Sequence, residues 1–323
     1  MRKFFIIIFI VFSTININAQ NYNLGHLFSK DSITIVITDS GLGGLSVVAG
    51  LENNMRNSGH FAKIKLIFAN ALFNEKGGYN SLTNRKDKIS VFNNVLKGIN
   101  NKYDPDLILI ACNTLSVIYE ETPFAKKRKT QIIGIVDIGV EEIHKSLDKE
   151  TGSKVIIYGT ETTIEENNHR SQLIESGVTG NRIITQACPQ LQEYIENSPN
   201  GEDTEMLIMS YVDEALEKTK IKNEKIYVSL NCTHFGYSKD LWLQAFNFSD
   251  ISSISIINPN VQMSEILLVK QYGGRFKTDI ETKVVSKVKI NDKSVKSISG
   301  IIKDLSPAAS KALLEYQIVS DLF

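Results

Sequence analysis

Two cysteines follow two apolar runs of this sequence. In "DLILIACNTLSVI" the run ends at Cys112, and in "KIYVSLNCTHFGY" a second run ends at Cys232. A free thiol has a pKa near ~8.5, so a thiolate can take a proton from carbon while a thiol returns one. Two thiols that face one cleft therefore predict proton transfer on opposite faces of a substrate. A disulfide, or two unrelated core cysteines, are the alternatives, and a cysteine taken alone is most often buried core.

The elements that would position these cysteines form a regular pattern. Short runs rich in Ile and Val alternate with longer amphipathic segments, which predicts parallel sheets with right-handed helical crossovers. The runs span residues 33–38, 65–69, 107–111, 132–136, 155–158, 182–185, 226–230 and 254–257. So many strands over this length favour two α/β lobes. Ligands bind beyond the carboxyl ends of such strands, where both cysteines lie.

A glycine-rich stretch, "TDSGLGGLSV", follows the first of these runs. Glycines at 41, 43 and 44 allow a tight turn whose N–H groups approach a ligand closely. Ser46 breaks the GxGxxG dinucleotide pattern, and no Gly-Lys-Ser/Thr follows for a phosphate-binding loop. Asp39, an acid at the strand end, is the candidate functional residue of this turn.

The composition excludes several classes of protein. The chain has 323 residues, with 36 Lys and Arg against 36 Asp and Glu, so it lacks the basic surplus of a general nucleic-acid binder. Its 3 cysteines are an odd number, with no CxxC pair and no HExxH. Neither a disulfide framework nor a structural zinc site is expected.

The first residues have the layout of a secretory signal peptide. "MRKFFIIIFIVFSTININAQ" places Arg2 and Lys3 before a short apolar core and small polar residues. We expect residues 1–19 to be removed after Ala19 and the mature chain to be periplasmic or secreted. That chain would have no stable membrane insertion. An uncleaved anchor is the alternative.

The end of the chain, residues 276–323, has a different pattern. "TKVVSKVKI" alternates apolar and polar residues as a half-exposed strand does, and Asn291-Asp292 could turn the chain back. Ser306-Pro307 has the composition of a helix start. We therefore predict a strand or hairpin followed by a closing helix.

Taken together, these stretches resemble the aspartate/glutamate racemase family. "DSGLGGLSV" resembles its opening Asp-Ser-Gly motif, "ACNT" its first cysteine motif and "NCTHFGY" its second. "QACPQLQEYIE", between the cysteines, also matches, and the resemblance runs from about residue 33 to 268. It implies two pseudo-symmetric lobes, each a mostly parallel sheet flanked by helices, with the active site between them. The first lobe would span 20–127 and the second 128–239, with 240–275 returning to the first and 276–323 an extension.

The resemblance also implies roles for individual residues. Cys112 and Cys232 would exchange the proton, with Asp39 assisting the first thiol and the pair His234 and Glu196 the second. Ser40, Asn113, Thr114, Thr163 and Thr233 would bind the substrate carboxylate and ammonium. Cys188 would be a core residue. No cofactor and no metal are expected, and a homodimer is compatible with the family.

The sequence departs from the family at several positions. Gly78-Tyr79-Asn80 stands where Pro-Tyr-Gly is usual, and Tyr79 is the residue of that loop expected to bind substrate. Asn70 replaces an acid, and Asn231 replaces the usual glycine before Cys232. The expected activity is the interconversion of L- and D-glutamate without a cofactor. The alternatives are an aspartate or broad-specificity racemase, a related two-cysteine isomerase or single-cysteine decarboxylase, and an exported, non-catalytic binding protein for an acidic amino acid.

Overall fold

The computed structural model describes residues 22–75, 78–127, 129–219, 224–249, 251 and 253–323, without the side chain of residue 80. The predicted signal peptide, residues 1–19, lies outside the described residues. Within the described ranges, no helix is both long enough and apolar enough to cross a membrane.

The first lobe is built on a six-stranded parallel sheet. Its strands are β1 (Ser32–Asp39), β2 (Lys63–Asn70), β3 (Leu107–Ile110), β4 (Gln131–Gly134), β9 (Asp279–Ser286) and β10 (Gln317–Ile318). They lie in the order β10-β9-β2-β1-β3-β4, and every pairing is parallel. The carboxyl ends of β1 and β3 therefore meet at one edge of the sheet.

The second lobe is built on a smaller parallel sheet. Its four strands are β5 (Lys154–Gly159), β6 (Ile183–Ala187), β7 (Ile226–Asn231) and β8 (Ile254–Ile257), in the order β6-β5-β7-β8. This arrangement places the carboxyl ends of β5 and β7 side by side. The predicted α/β architecture of two mostly parallel sheets is confirmed.

Helices follow most of the strands. They are α1 (Leu45–Arg56), α2 (Arg85–Tyr103), α3 (Asn113–Tyr119), α4 (Ile135–Lys149), α5 (Glu161–Glu165), α6 (Asn168–Glu175), α7 (Leu191–Asn197), α8 (Glu202–Glu217), α9 (Lys239–Phe248), α10 (Pro259–Ser264), α11 (Asp292–Ile302) and α12 (Pro307–Leu314). Helix α12 begins as predicted, because Ser306 caps it by accepting from the N–H of Ala309.

The apolar runs are continuous because both faces of each strand are covered. Along β1, Ile35 and Ile37 enter one buried cluster, whereas Val36 enters a second cluster on the opposite face. The second cluster continues into the other lobe through Val155 and Ile157 of β5. Apolar packing therefore joins the two lobes as well as filling each one.

Two strands belong to different sheets from those the sequence suggested. Residues 128–239 were assigned to the second lobe, yet β4 pairs with β3 in the first sheet. Residues 240–275 were assigned to the first lobe, yet β8 pairs with β7 in the second. Both apolar runs look alike in sequence, and only tertiary pairing decides which sheet each one extends.

Of the two predicted alternatives, a strand or a hairpin, the final segment forms a strand. Strand β9 pairs along its whole length with β2, so this segment extends the first sheet. The chain does not turn back at Asn291, because its side chain accepts from the N–H groups of Lys293 and Ser294 and starts α11. An Asn-Asp pair suits a helix cap as well as a turn, and the amphipathic residues that follow decide for the helix.

Buried His169, in α6, predicts a pH dependence of stability. Its Nε2 atom has no hydrogen-bond partner in the ranges that the structure describes, and burial lowers the pKa of His169 from 6.5 to about 4. The unfolded chain therefore binds an extra proton below pH 6.5, so the free energy of unfolding should fall as pH drops through this window. The loss should approach about 3 kcal/mol near pH 4.

The variant His169→Gln should lose that part of the acid sensitivity. Urea unfolding between these pH values would measure it as a flatter dependence of stability on pH. An unchanged slope in the variant would contradict the assignment.

Candidate active site

The two thiols come together at the ends of strands from different lobes. Cys112 follows β3 and stands at the N-cap position of α3, and Cys232 directly follows β7. Both line one small cavity of about 40 Å³. All three cysteines are free thiols, so the alternative of a disulfide is not observed. Cys188 does not line this cavity and is buried in the second lobe.

Asp39, the last residue of β1, is held at the interface between the lobes. The Thr233 hydroxyl donates to its Oδ2 at 2.7 Å, and the Gly41 N–H donates to its Oδ1 at 3.2 Å. A Cβ on Gly44 would lie 2.9 Å from the Cβ of Asp39, so glycine is required there. Burial raises the pKa of Asp39, although the His234 charge and these hydrogen bonds oppose the rise.

Cys112 is in an environment that keeps its sulfur protonated. Its Sγ lies 3.3 Å from the Ser40 hydroxyl, and the sulfur is buried beside Asp39. Burial, followed by the negative charge of Asp39, raises the pKa of the Cys112 thiol above its ordinary value. At neutral pH this residue is therefore a thiol that can donate a proton.

Cys232 lies beside a charged pair within the second lobe. Its Sγ is 3.8 Å from Nδ1 of His234, and Nε2 of that ring is 2.7 Å from Oε2 of Glu196. Burial opposes a charge on the imidazole, but hydrogen bonds with Cys232 and Glu196 raise the pKa of His234 well above its ordinary value. A positive imidazolium beside a sulfur stabilises negative charge on that sulfur.

Glu196, in α7, is ionised in this arrangement. Burial favours its neutral form, but the hydrogen bond from His234 and the charge of that ring lower the Glu196 pKa. The N–H of Leu42 also donates to Oε2 at 3.1 Å. The glycine-rich turn of the first lobe thus binds the acid of the second.

A chain of hydroxyl groups lines another side of the cavity. The Thr114 and Thr160 oxygens are 3.2 Å apart, and those of Thr160 and Thr163 are 3.0 Å apart. Thr160 directly follows β5 and also caps α5 by accepting from the N–H of Thr163. This row of hydroxyl groups therefore connects the first cysteine motif to the second lobe.

A wider cleft of about 370 Å³ adjoins the thiol cavity and shares Ser40, Gln192 and His234 with it. Buried Tyr79 lines this outer cleft, and its hydroxyl has no hydrogen-bond partner among the described residues. The final segment of the chain supplies Lys289, Asn291 and Ser294 to the same wall. Residues 276–323 therefore form part of the cleft.

The structure brings most of the predicted site residues into one place. The thiol cavity is lined by Asp39, Ser40, Cys112, Asn113, Thr114, Thr163, Cys232, Thr233 and His234, whereas Glu196 and Tyr79 line the outer cleft. Three further lining residues were not predicted to bind substrate: Thr160, Gln192 and Asn231. Thr160 and Asn231 lie at the ends of β5 and β7. Selecting the polar residues that follow every apolar run would therefore have included them.

The two lobes thus contribute one thiol each to a shared cavity. No model of a protein family matches the chain. Curated relatives do match. The glutamate racemase of Aquifex pyrophilus is 28% identical over 206 residues, which are 64% of this chain and 72% of that protein. That of Campylobacter jejuni is 26% identical over 151 residues, which are 45% and 53% of the two chains.

Solved structures show the same fold. Glutamate racemase from Francisella tularensis, in complex with D-glutamate, superposes with a TM-score of 0.65 at 20% identity, covering 84% of this chain and 94% of the other. The Campylobacter jejuni enzyme gives 0.63 at 21% identity, covering 84% and 97%. The chain is therefore similar in sequence to glutamate racemases and shares the fold of the solved ones.

The charge of Asp39 should be measurable through Cys112. In a Cys188→Ala, Cys232→Ser background, Cys112 is the only thiol left, and its thiolate absorbs in the ultraviolet. Asp39→Asn removes a negative charge that raises the Cys112 pKa, so the titration midpoint should move to lower pH. Glu193→Gln is the control, because that acid lines the outer cleft and not the thiol cavity. A midpoint that stays or rises in Asp39→Asn would contradict the electrostatic account.

Proposed function

We propose that this protein is an amino-acid racemase that interconverts L- and D-glutamate by proton transfer between the α-carbon and two thiols. The observation that carries the proposal is the pair of free cysteines, one from each lobe, on a single cavity. Each sulfur has its own partner, Asp39 and Ser40 for Cys112 and His234 for Cys232. The similarity to glutamate racemases supports this activity.

The proton balance follows from the two environments. With L-glutamate bound, the Cys232 thiolate takes the α-proton, so a C–H bond breaks and an S–H bond forms. The Cys112 thiol then gives its proton to the opposite face of the same carbon. The enzyme is left with a thiol at Cys232 and a thiolate at Cys112, which is the form that reacts with D-glutamate. No covalent bond between enzyme and substrate is required.

The sizes of the thiol cavity and the outer cleft indicate which part of the substrate each one holds. The thiol cavity holds only a few atoms, which suits the α-carbon with its carboxylate and ammonium. The outer cleft, which shares Ser40 and His234 with the cavity, would take the side chain. The Francisella tularensis homologue was solved with D-glutamate, an amino acid of this shape.

The charges of the outer cleft favour a second candidate, a racemase of broader specificity. Glu75 and Glu193 line that cleft, and Lys289 is the one lysine or arginine among its described lining residues. Such a wall is less selective for a side-chain carboxylate than a wall with several cations would be. Aspartate or an uncharged amino acid is therefore the alternative substrate. An exported binding protein without turnover would not need two differently supported thiols.

We also propose that the protein acts outside the cytoplasm, on the strength of residues 1–19 alone. N-terminal sequencing of the exported protein would test this, with a mature chain that begins at Gln20 as the expected result. A chain that keeps its first residues in a membrane fraction would contradict it.

Substrate identity is tested by incubating the protein with a panel of L-amino acids in D₂O and following loss of the α-proton. Glutamate should exchange fastest if the first proposal holds. Comparable exchange of aspartate or of uncharged amino acids would favour the broader racemase. Loss from no amino acid would reject racemisation.

Each of the two thiols should take the α-proton from one enantiomer of the substrate. Cys112→Ser and Cys232→Ser should each abolish racemisation, because a hydroxyl gives far less anion than a thiol near neutral pH. Cys112→Ser should keep some α-proton exchange with L-glutamate, and Cys232→Ser some with D-glutamate.

Cys188→Ser is the matched control, since it removes a third buried thiol that does not line the cavity, and it should stay active. Full racemisation by either of the first two variants would refute the two-thiol mechanism.

A further inference from the structure

The hydrogen-bond donors around the thiol cavity differ in whether they already have an acceptor. The Thr233 hydroxyl donates to Asp39, and the Ser40 hydroxyl pairs with Cys112. The remaining threonine hydroxyls bond to one another in the chain through Thr160. These groups would have to give up a partner to hold a ligand, so they are poor candidates for its principal contacts.

The two asparagines that line the same cavity differ from these hydroxyl groups. Asn113 and Asn231 are 3% and 0% exposed, and within the described part of the chain neither the nitrogen nor the oxygen of either amide has a hydrogen-bond partner. Leaving a buried amide unpaired is costly, so such groups in native proteins have a purpose or a partner that arrives later. Both residues line the space between the thiols. A ligand in this cavity would satisfy them.

Asn231 is placed firmly for this role. It is the last residue of β7, directly before Cys232, so its backbone is fixed by the sheet. Its Nδ2 atom lies 3.0 Å from the point that a Cβ on Gly139 would occupy, so a side chain at position 139 of helix α4 would crowd the amide. The aspartate/glutamate racemase family usually has glycine here, so Asn231 brings an amide that such a site lacks.

The chemistry of the cavity indicates what the two amides would bind. No lysine or arginine is among its described lining residues, so a carboxylate there depends on neutral donors and on His234. An asparagine offers N–H donors to a carboxylate and a carbonyl acceptor to an ammonium group. A pair of asparagines therefore matches the two charged groups of an α-amino acid.

We propose that Asn231 contacts the substrate and that its amide, together with that of Asn113, binds the α-carboxylate and the negative charge that spreads onto it as the α-proton leaves. The inference rests on the proposed function, because it assigns a residue to that same site. Fixed donors aimed at developing charge lower a barrier most when water is excluded.

The test compares Asn231→Gly with Ser229→Ala in the full mature chain. Ser229 is the matched control, since it is a buried residue of β7 with an unpartnered hydroxyl and does not line the cavity. Asn231→Gly should lower kcat/KM by roughly 10²-fold, whereas Ser229→Ala should match the unmodified protein. Asn231→Ala, which also removes the amide but keeps a Cβ, serves if the glycine variant does not fold.

A second readout separates substrate contact from a structural role. Binding of glutamate and of its analogue with an α-carboxamide in place of the α-carboxylate is measured by calorimetry. The unmodified protein and Ser229→Ala should prefer the carboxylate, and the Asn231 variants should lose much of that preference. A folded Asn231 variant that keeps the preference would overturn the inference, whatever its activity, and so would failure of both Asn231 variants to fold.

The binding arm also separates this inference from the proposed function. If the unmodified protein binds glutamate without racemising it, the proposed function fails, and the loss of preference in the variants still decides the role of Asn231. If it neither binds nor racemises glutamate, both fail.

Discussion

The hydrogen bond from Thr233 to Asp39 is the contact on which the site depends. At 2.7 Å it joins the strand end of β1 in the first lobe to the second cysteine motif in the other. The turn that carries Asp39 must come very close, since a Cβ on Gly43 would lie 2.3 Å from the Thr233 hydroxyl oxygen. Asn260 holds the same motif from behind by donating to the Thr233 carbonyl at 2.8 Å. Glycine at position 43 thus allows the lobes to meet and the thiols to share one cavity.

This contact gives the two sulfurs unlike surroundings. On one side, burial and a carboxylate favour a neutral thiol at Cys112. On the other, the His234 ring lies 3.8 Å from the Cys232 sulfur and is itself hydrogen-bonded to Glu196. Inversion at a carbon needs one acid and one base on its two faces, and the proposed function assigns these roles to thiols from different lobes. The charge asymmetry and the lobe arrangement therefore support the same chemistry.

Much of the fold and of the site could be predicted from the sequence, because the ends of the buried strands can be recognised there. Continuous apolar runs locate the buried strands, and the polar residues after them, such as Asp39 and Cys112, fall where parallel strands end. Sheet membership was not predictable, because β4 and β8 are short runs that could extend either sheet. Gln192 and Ser294 reach the site only through helix packing, which leaves no mark in the local pattern. The unpaired amides of Asn113 and Asn231 could be recognised only after the hydroxyl groups of the cavity had been assigned their partners.

The central claim is that one thiol removes the α-proton and a different thiol replaces it. Racemisation of L-glutamate in D₂O, stopped early, tests this most directly when each enantiomer is separated and its α-position analysed by mass. The account predicts that the D-glutamate formed carries solvent deuterium, while the unreacted L-glutamate keeps its original hydrogen. D-glutamate that retains the original hydrogen would show one base serving both faces and would contradict the account.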